Sequence, residues 1–409
     1  MNVSGDPVYA GGVHWSTLLI VAIKVLVGFA ACMGSVILTI WFLRKAISDM
    51  QSRIGPNRVG PFGLLQTLAD GIKLFFKEDL QPADADPFVF KLAPYLSLIT
   101  AFLTFAIVPV GGTITVAGHS FELQVADPPV GILLMLAMSG ISVYGVMLAG
   151  WASGSKYPLL SSVRSSAQMI SYEAALGMLV VMVVMVTGSL STRAIVDAQG
   201  GAFWHWNLIK LGIVPFFLFL IAITAEINHP PFDVVEAESE LVSGYNTEYS
   251  SIRFALFYLA EFLNMVTMSA IMVTLFFGGP AGPIPHAIPG ATVFMPIIWF
   301  LLKVVAFVFG YVWIRAALPR FRYDQVMDLG WKKLIPLSLG WMLMVAGFLI
   351  SATWGIAMAI LVVLGSLALG RSFALGDAVV AADRGVLPPV APRPVDPGVI
   401  RRISEGGEG

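Results

Sequence analysis

The sequence predicts an all-α polytopic membrane protein: about nine transmembrane helices, N-terminus outside and C-terminus inside, with an interfacial amphipathic helix and a large acidic inside loop. Three observations predict it. Of 409 residues, 57% are hydrophobic and only 12% charged, with mean hydropathy +0.83, whereas soluble domains run near a quarter charged. Apolar runs of about 20 residues recur along most of the chain, the length that crosses a hydrocarbon layer of ~30 Å. Lys and Arg fall almost entirely on one set of connections, and that asymmetry sets orientation.

The spans read between polar breaks are 16–43, 91–110, 130–150, 168–190, 208–228, 252–276, 294–316, 333–351 and 355–371. Only Ser351 to Gly355 separates the last two, so a single long tilted helix is the alternative there. The first run is too long for a cleaved signal peptide, and Met1 to Trp15 carries no Lys or Arg. Residues 1–372 thus form the membrane domain. The Pro-rich remainder, 373–409, is expected to be a disordered extension.

With the N-terminus outside, inside segments hold Arg44, Lys45, Arg53, Arg58, Lys73, Lys77, Lys91, Lys156, Arg164, Arg253, Arg315, Arg320, Arg322, Lys332, Lys333 and five tail arginines, 20 of the 24 basic residues. Arg193 and Lys210 remain outside, and Lys24 and Lys303 lie within spans, where either can snorkel or pair. The outside stretch Thr113 to Val125 alternates polar and apolar residues, as a small hairpin would. Cys32 is the single cysteine, and none of the five histidines pairs with another at ligand spacing. Zinc fingers, Fe–S ligation and c-type haem attachment therefore lack their residues.

The inside loops carry the unusual sequence. Residues 53–63, Arg-Ile-Gly-Pro-Asn-Arg-Val-Gly-Pro-Phe-Gly, hold two arginines on a turn stiffened by two Gly-Pro pairs. Next, Leu64 to Lys77 sets Asp70, Lys73 and Lys77 on one helical face and most of its leucine, isoleucine and phenylalanine on another, the pattern of a helix lying in the interface. From Leu211 to Ile252 there is no Lys or Arg, yet Glu226, Asp233, Glu236, Glu238, Glu240 and Glu248 occur. If 233–242 is helical, Asp233, Glu236 and Glu240 share a face, where crowded like charges raise some pKa values, as proton carriers require. A solvated acidic loop is the plainer alternative, but it leaves the interleaved Phe232, Val234, Val235, Leu241, Val242, Tyr245 and Tyr249 unexplained. Glu173, Glu226 and Glu261 lie in or beside apolar runs, where an uncompensated carboxylate costs roughly 2.5–3.5 kcal/mol on insertion scales, so their default reading is functional. Arg164, nine residues before Glu173, is a candidate counter-charge.

These segments resemble a known family. The 53–61 loop with Gln66 to Asp79, then Ser166-Ala-Gln-Met-Ile-Ser-Tyr-Glu173, then Ala225 to Ser250 (Ala-Glu-Ile-Asn-His-Pro-Pro-Phe-Asp at its start), and later Arg320-Phe-Arg-Tyr-Asp-Gln325, are similar to the quinone-site membrane subunits of respiratory complex I, the H-type subunits of bacterial NADH-quinone oxidoreductases. The four motifs occur in order over roughly residues 16–350.

The resemblance implies a quinone-binding group at Arg53, Asp70, Phe232, Asp233 and Glu236. It also implies a proton route over Arg164, Glu173, Glu226, Glu238, Glu240, Glu248 and Glu261, leading toward pumping subunits. Spans two to six would form a five-helix unit like an antiporter half-channel. Quinone would be the substrate, with no metal or flavin on this chain and with FMN and Fe–S clusters in partners. Those partners would be Fe–S-bearing peripheral subunits on the inside, antiporter-like and small membrane subunits, and lipid, but no nucleic acid. A bacterial plasma membrane location follows. One departure stands out: the family usually has a carboxylate just before the basic pair ending span one, where this chain reads Leu43-Arg44-Lys45. Alternatives are the membrane subunit of an energy-converting hydrogenase, an ion-coupled secondary transporter and a structural anchor; no internal repeat or pair of Gly-broken spans favours the transporter.

Overall fold

A computed structural model of the chain describes residues 14–116, 119–234, 242–284 and 290–385. The first helix, α1, runs Trp15–Met50, about 54 Å at 1.5 Å per residue, so it crosses an apolar layer and projects beyond it. The end of the bundle where it finishes gathers the basic loops and is called the basic end below. There the chain folds back on itself: the Arg53 amide donates to the Ser48 carbonyl (2.9 Å), and the Trp41 indole donates to the Phe62 carbonyl (3.0 Å). Gly63 has φ +77°, and a Cβ there would strike the backbone of Pro56, so this turn requires glycine. The stiff loop expected from its Gly-Pro pairs is thus pinned to α1. Helix α2, Gln66–Phe76, follows as the anticipated amphipathic segment.

Helix α3, Pro87–Ala106, starts where Asp86 accepts from the amides of Phe88 and Val89, with Pro87 in the first turn. At the far end lies the expected hairpin, β1 Thr113–Val116 and β2 His119–Glu122, antiparallel with Thr113 opposite Glu122; that end is the hairpin end. Helices α4, Gly131–Ala152, and α5, Lys156–Thr187, pack with α3 through small residues. A Cβ on Gly145 would strike Ser97 of α3, and one on Gly150 would strike Pro158 and Ser162 of α5, the close approach that holds membrane helices together where water is absent.

Short helices α6, Thr192–Asp197, and α7, Asn207–Lys210, lead at the hairpin end into α8, Ile213–Glu226. The remaining elements are α9, Ser251–Phe276, α10, Ala291–Ala317, and α11, Tyr323–Asp328. A π-helical turn at Leu329–Leu334 joins α11 to α12, Ile335–Ile350, and α13 is Ala352–Gly385. Helix α9 is hydrophobic nearly all round and nearly all buried, the mark of a central helix. Phe219 and Phe276 pack their rings 5.2 Å apart in the core between α8 and α9.

Eight helices among the described residues are long and apolar enough to cross a membrane, and the shorter apolar helix α8 stands at the place of the ninth expected span. The expected span 208–228 is a helix of 14 residues, about 21 Å, too short to cross alone. Its ends are set by Gly212 (φ +88°) and Asn228 (φ +51°), and non-helical backbone is tolerated at such depth only where protein buries it. Helix α5 begins twelve residues before the expected 168. Its serines, read as a polar break, are buried against neighbouring helices, and Ser166 and Ser171 return hydrogen bonds to the carbonyls of Ser162 and Ala167. The last two spans are separate helices that double back at Ser351, where Gly347 lies against Trp354 and Gly355 against Phe348. Helix α13 runs through residue 373 to Gly385, so the expected boundary of the disordered tail falls inside a helix; residues 386–409 lie outside the described part.

Candidate functional site

The polar residues singled out in the sequence gather in two places at the basic end. The first is the rim between α1 and α2. Arg44 Nη1 donates to Asp70 Oδ2 at 2.6 Å, and Gln66 holds the other oxygen at 3.1 Å. Partial burial pushes the Asp70 pKa up, but the hydrogen bonds from Arg44 and Gln66 and the charges of Arg44 and Lys73 outweigh it, leaving the carboxyl below its ordinary value. Beside this pair Leu43, Arg44, Ile47, Arg53, Ile54, Gly55 and Pro56 line a hollow of about 360 Å³. Arg53 hydrogen-bonds Gln51 at 2.7 Å. Leu43 adds an apolar side chain to that wall, while its neighbour Arg44 turns to Asp70 on α2.

The second place lies inside, where α4, α5, α8 and α9 meet. Glu226, at the last turn of α8, is 4% exposed. One of its oxygens accepts from the Ser139 hydroxyl of α4, and the other has no hydrogen-bond partner. It lines a hollow of about 50 Å³ together with Ser97, Ser142, Asn228, Asp233, Glu261 and Asn264. A smaller hollow of about 10 Å³, walled by Thr100, Thr104, Ser139, Glu226 and Asn264, shares that lining and continues it. At roughly 10–15 Å³ per water, the pair has room for a few water molecules among polar partners.

Toward the basic end the hollow reaches Asp233, 6% exposed, whose Oδ2 meets Arg320 Nη2 at 3.0 Å. A bathed acidic loop would not bury this carboxylate. Phe232 is buried between the rings of Tyr172 (5.6 Å) and Phe321 (5.5 Å), so it packs as a plug. The turn carrying these residues, Ile227 to Val234, contains a cis Pro230–Pro231 bond and buried His229. Burial, with the nearby charge of Arg315, pushes the His229 pKa down to about 4.

Glu173 is half-buried on α5, its carboxylate 3.1 Å from where a Cβ would stand on Gly140 of α4, and near enough to Glu226 for their charges to interact. The guanidinium of Arg164 lies over the Tyr323 ring at 5.5 Å; nine helical residues set it half a turn around from Glu173 and about 13 Å along. Glu248 is half-buried next to Tyr249, whose ring stacks on Phe90 at 4.0 Å, and is not among the residues lining either hollow. Glu236, Glu238 and Glu240 lie outside the described residues. Arg53 lines the rim hollow and Asp70 is tied to it only through Arg44, Asp233, Glu226 and Glu261 share one inner hollow, and Glu173 flanks that hollow.

The sequence reading passed over Ser139, Ser142 and Asn264. Asn264 follows Glu261 by three residues on α9 and so shares its face, a spacing that marks it. The serines carry no such signal. Gln168 lies within the Ser166 to Glu173 motif, and the structure buries it beside the Ile227 to Val234 turn.

The sequence profile of the NADH dehydrogenase family matches residues 23–346. The chain belongs to the NADH dehydrogenase family. Among curated relatives, it is 46% identical over 343 residues to the second H-type subunit of the NADH-quinone oxidoreductase of Koribacter versatilis, covering 81% of this chain and 97% of that one. It is 50% identical over 334 residues to the H-type subunit of the NADH-quinone oxidoreductase of Frankia alni (80% and 72%) and 49% over 342 residues to that of Frankia casuarinae (83% and 74%). Both polar clusters of this NADH dehydrogenase family member fall inside the matched segment, whereas α13 lies beyond it.

Proposed function

We propose that this NADH dehydrogenase family member is the membrane subunit of a proton-translocating NADH-quinone oxidoreductase, forming most of the quinone chamber and passing the effect of quinone reduction into an acidic route. The observation that carries the reading is the buried, partly unpartnered Glu226 sharing a polar hollow with Asp233 and Glu261 in the interior of a membrane bundle. Burying two carboxylates beside a half-buried third is costly unless the site wets, protonates or pairs them. A group that exchanges protons needs those options.

The roles follow from position. The rim hollow, walled by Leu43, Ile47 and Ile54 with Arg44 and Arg53, suits the isoprenoid tail and ring of a quinone, with Asp233 and Phe232 deeper along the chamber; the family resemblance assigns Glu236 to the same chamber. Electrons arrive from Fe–S-bearing peripheral subunits docked on the basic end, where the 53–63 loop and the loop from Arg320 to Lys333 offer cationic surface; flavin belongs to those partners. Reduction takes up two protons and changes the charge felt by Asp233. Interacting carboxylates titrate as a group, so the change is shared with Glu261, Glu226 and Glu173, the last near enough to the flank to hand it to antiporter-like neighbours. The family resemblance assigns Glu238, Glu240, Glu248 and Arg164 to the same route. The protein resides in a bacterial plasma membrane with its basic end cytoplasmic.

The test is Glu226→Gln and Glu173→Gln in the assembled complex. Each is expected to lower quinone-dependent, proton-coupled NADH oxidation by about tenfold or more, while NADH oxidation by a water-soluble artificial acceptor, which bypasses this chain, is retained. Wild-type coupled turnover in both variants overturns the reading.

A further inference from the structure

Gln168 carries no charge, lines neither hollow and is 0% exposed on α5, yet its amide joins the places where the two most buried acids leave the backbone. Its Nε2 donates to the carbonyl of Ala225 at 2.9 Å and to that of Phe232 at 2.9 Å, with the Asn228 side-chain oxygen at 3.2 Å. All three partners are acceptors, so the orientation of the amide is fixed by them, and two N–H groups serve three oxygens. Ala225 immediately precedes Glu226, and Phe232 immediately precedes Asp233. Between them the chain leaves the helix, passes through Asn228 with φ +51° and buries its irregular backbone. Ser165 and Met169, on the same helix face as Gln168, brace the Asn228 amide at 3.5 and 3.6 Å.

We infer that Gln168 is a positioning residue: by clamping both ends of the 225–232 turn to α5, it fixes the spacing and aim of Glu226 and Asp233 across their shared hollow, and with it the proton traffic between them. The inference rests on the acidic-route reading above. It assigns to an uncharged residue a part in coupling that neither acid can perform for itself, because both hang from the same irregular backbone. Helix α8 ends at Glu226; the amides of Ile227, Asn228 and His229 still donate to the carbonyls of Ile223, Ala225 and Thr224, but that of Phe232 donates only within the turn, to His229, so Gln168 carries the link from the helix end to Phe232.

The experiment uses the assembled complex in proteoliposomes. Gln168→Met keeps the length and bulk of the side chain and removes both donors. It is expected to assemble, to retain NADH oxidation by a water-soluble acceptor, and to lose about tenfold in quinone-dependent turnover, the scale of a misplaced reacting group, with fewer protons translocated per NADH. Leu176→Ala and Leu179→Ala, cavities in the same helix away from the turn, are expected to lower the amount of complex but leave protons per NADH unchanged. Should Gln168→Met fail to assemble, Gln168→Glu decides. A protonated carboxyl there still donates one hydrogen bond, whereas an ionised one faces three oxygens, so its coupled turnover is expected to approach wild type at low pH and fall steeply as pH rises. Normal proton stoichiometry in Gln168→Met, or a wild-type pH profile in Gln168→Glu, overturns the inference if Glu226→Gln is impaired. Normal Glu226→Gln together with normal Glu173→Gln removes the acidic route itself.

Discussion

His229 shows what this interior does to a charge. Its Nδ1 lies 3.1 Å from the carbonyl of Pro230, its Nε2 has no partner, and its ring packs edge-on to Tyr311 at 5.7 Å. Burial first, and the charge of Arg315 second, hold its pKa at about 4 against an ordinary 6.5, so it is neutral at pH 7 and no carrier of positive charge. The folded value is the lower one, so between pH 6.5 and 4 the unfolded chain binds the proton and the folded chain refuses it. Stability is therefore full above pH 6.5 and falls as pH drops, by up to about 3 kcal/mol across that window. Thermal melts of the detergent-solubilised complex from about pH 7 to about pH 4.5 are expected to show this decline, and His229→Phe is expected to flatten it; an equal slope in the variant would assign the decline to other groups. Residues of this kind were legible in unequal measure. A carboxylate inside an apolar run is visible in one dimension, which is why Glu173, Glu226 and Glu261 stood out. What surrounds them is assembled from α3, α4 and α9, and Ser97, Ser139 or Ser142 differ in no local way from the many membrane serines that only return a hydrogen bond to their own helix.

At the scale of elements, the hairpin end of α9 is held by side chains from elsewhere. Gln199 donates to the Thr274 carbonyl at 2.9 Å and accepts from the Gly278 amide at 3.1 Å, and Asn207 donates to the Leu275 carbonyl at 2.8 Å. Lys303 of α10 completes the set: its ammonium donates to the carbonyls of Phe277, Gly279 and Ala281 at 2.8, 2.9 and 2.7 Å and sits 4.7 Å from the centre of the Trp206 ring. A lysine in an apolar run reads equally as snorkelling or as paired, and here it is paired, with carbonyls of the irregular loop just past the end of α9. Lys303→Met keeps the packing stem but strips three part-buried carbonyls of their donor, and is expected to lower stability by about 2 kcal/mol. Faster proteolysis within 277–284 and a lower melting temperature check it, and an unchanged melting temperature would show the carbonyls finding other donors. The same logic explains the misread elements. Polar residues do not mark helix ends here: α5 continues through its serines because most return hydrogen bonds to their own backbone, and α8 stops early because Gly212 and Asn228 bend the chain, its last carbonyls taken by the amides of Ile227, Asn228 and His229 with Gln168 adding one donor at Ala225.

For the whole molecule, the charge distribution makes a claim that the order of helices turns into a test. Alternating crossings from Trp15 onward bring the 53–63 loop, α2, the Asp86 cap and the Arg320 loop to one end and the hairpin to the other. The end with the excess of Lys and Arg is expected in the cytoplasm, and the hairpin outside. Cys32 is the single cysteine and is 1% exposed, so a cysteine placed elsewhere reports without background. Ser120→Cys on β2 is expected to react with a membrane-impermeant maleimide in intact spheroplasts, and Arg58→Cys on the stiff loop only after the membrane is opened. The reverse pattern would invert the orientation, putting the Arg320–Asp233 pair and the rim hollow on the face away from the cytoplasm, where no cytoplasmic electron donor could reach them. Helix α13 adds a further crossing beyond the family's shared segment. A tag fused after Gly409 is therefore expected on the same side as Arg58, and a tag fused after Ser351, which removes that crossing, on the side of Ser120. Both tags on one side would mean that α13 does not traverse the membrane.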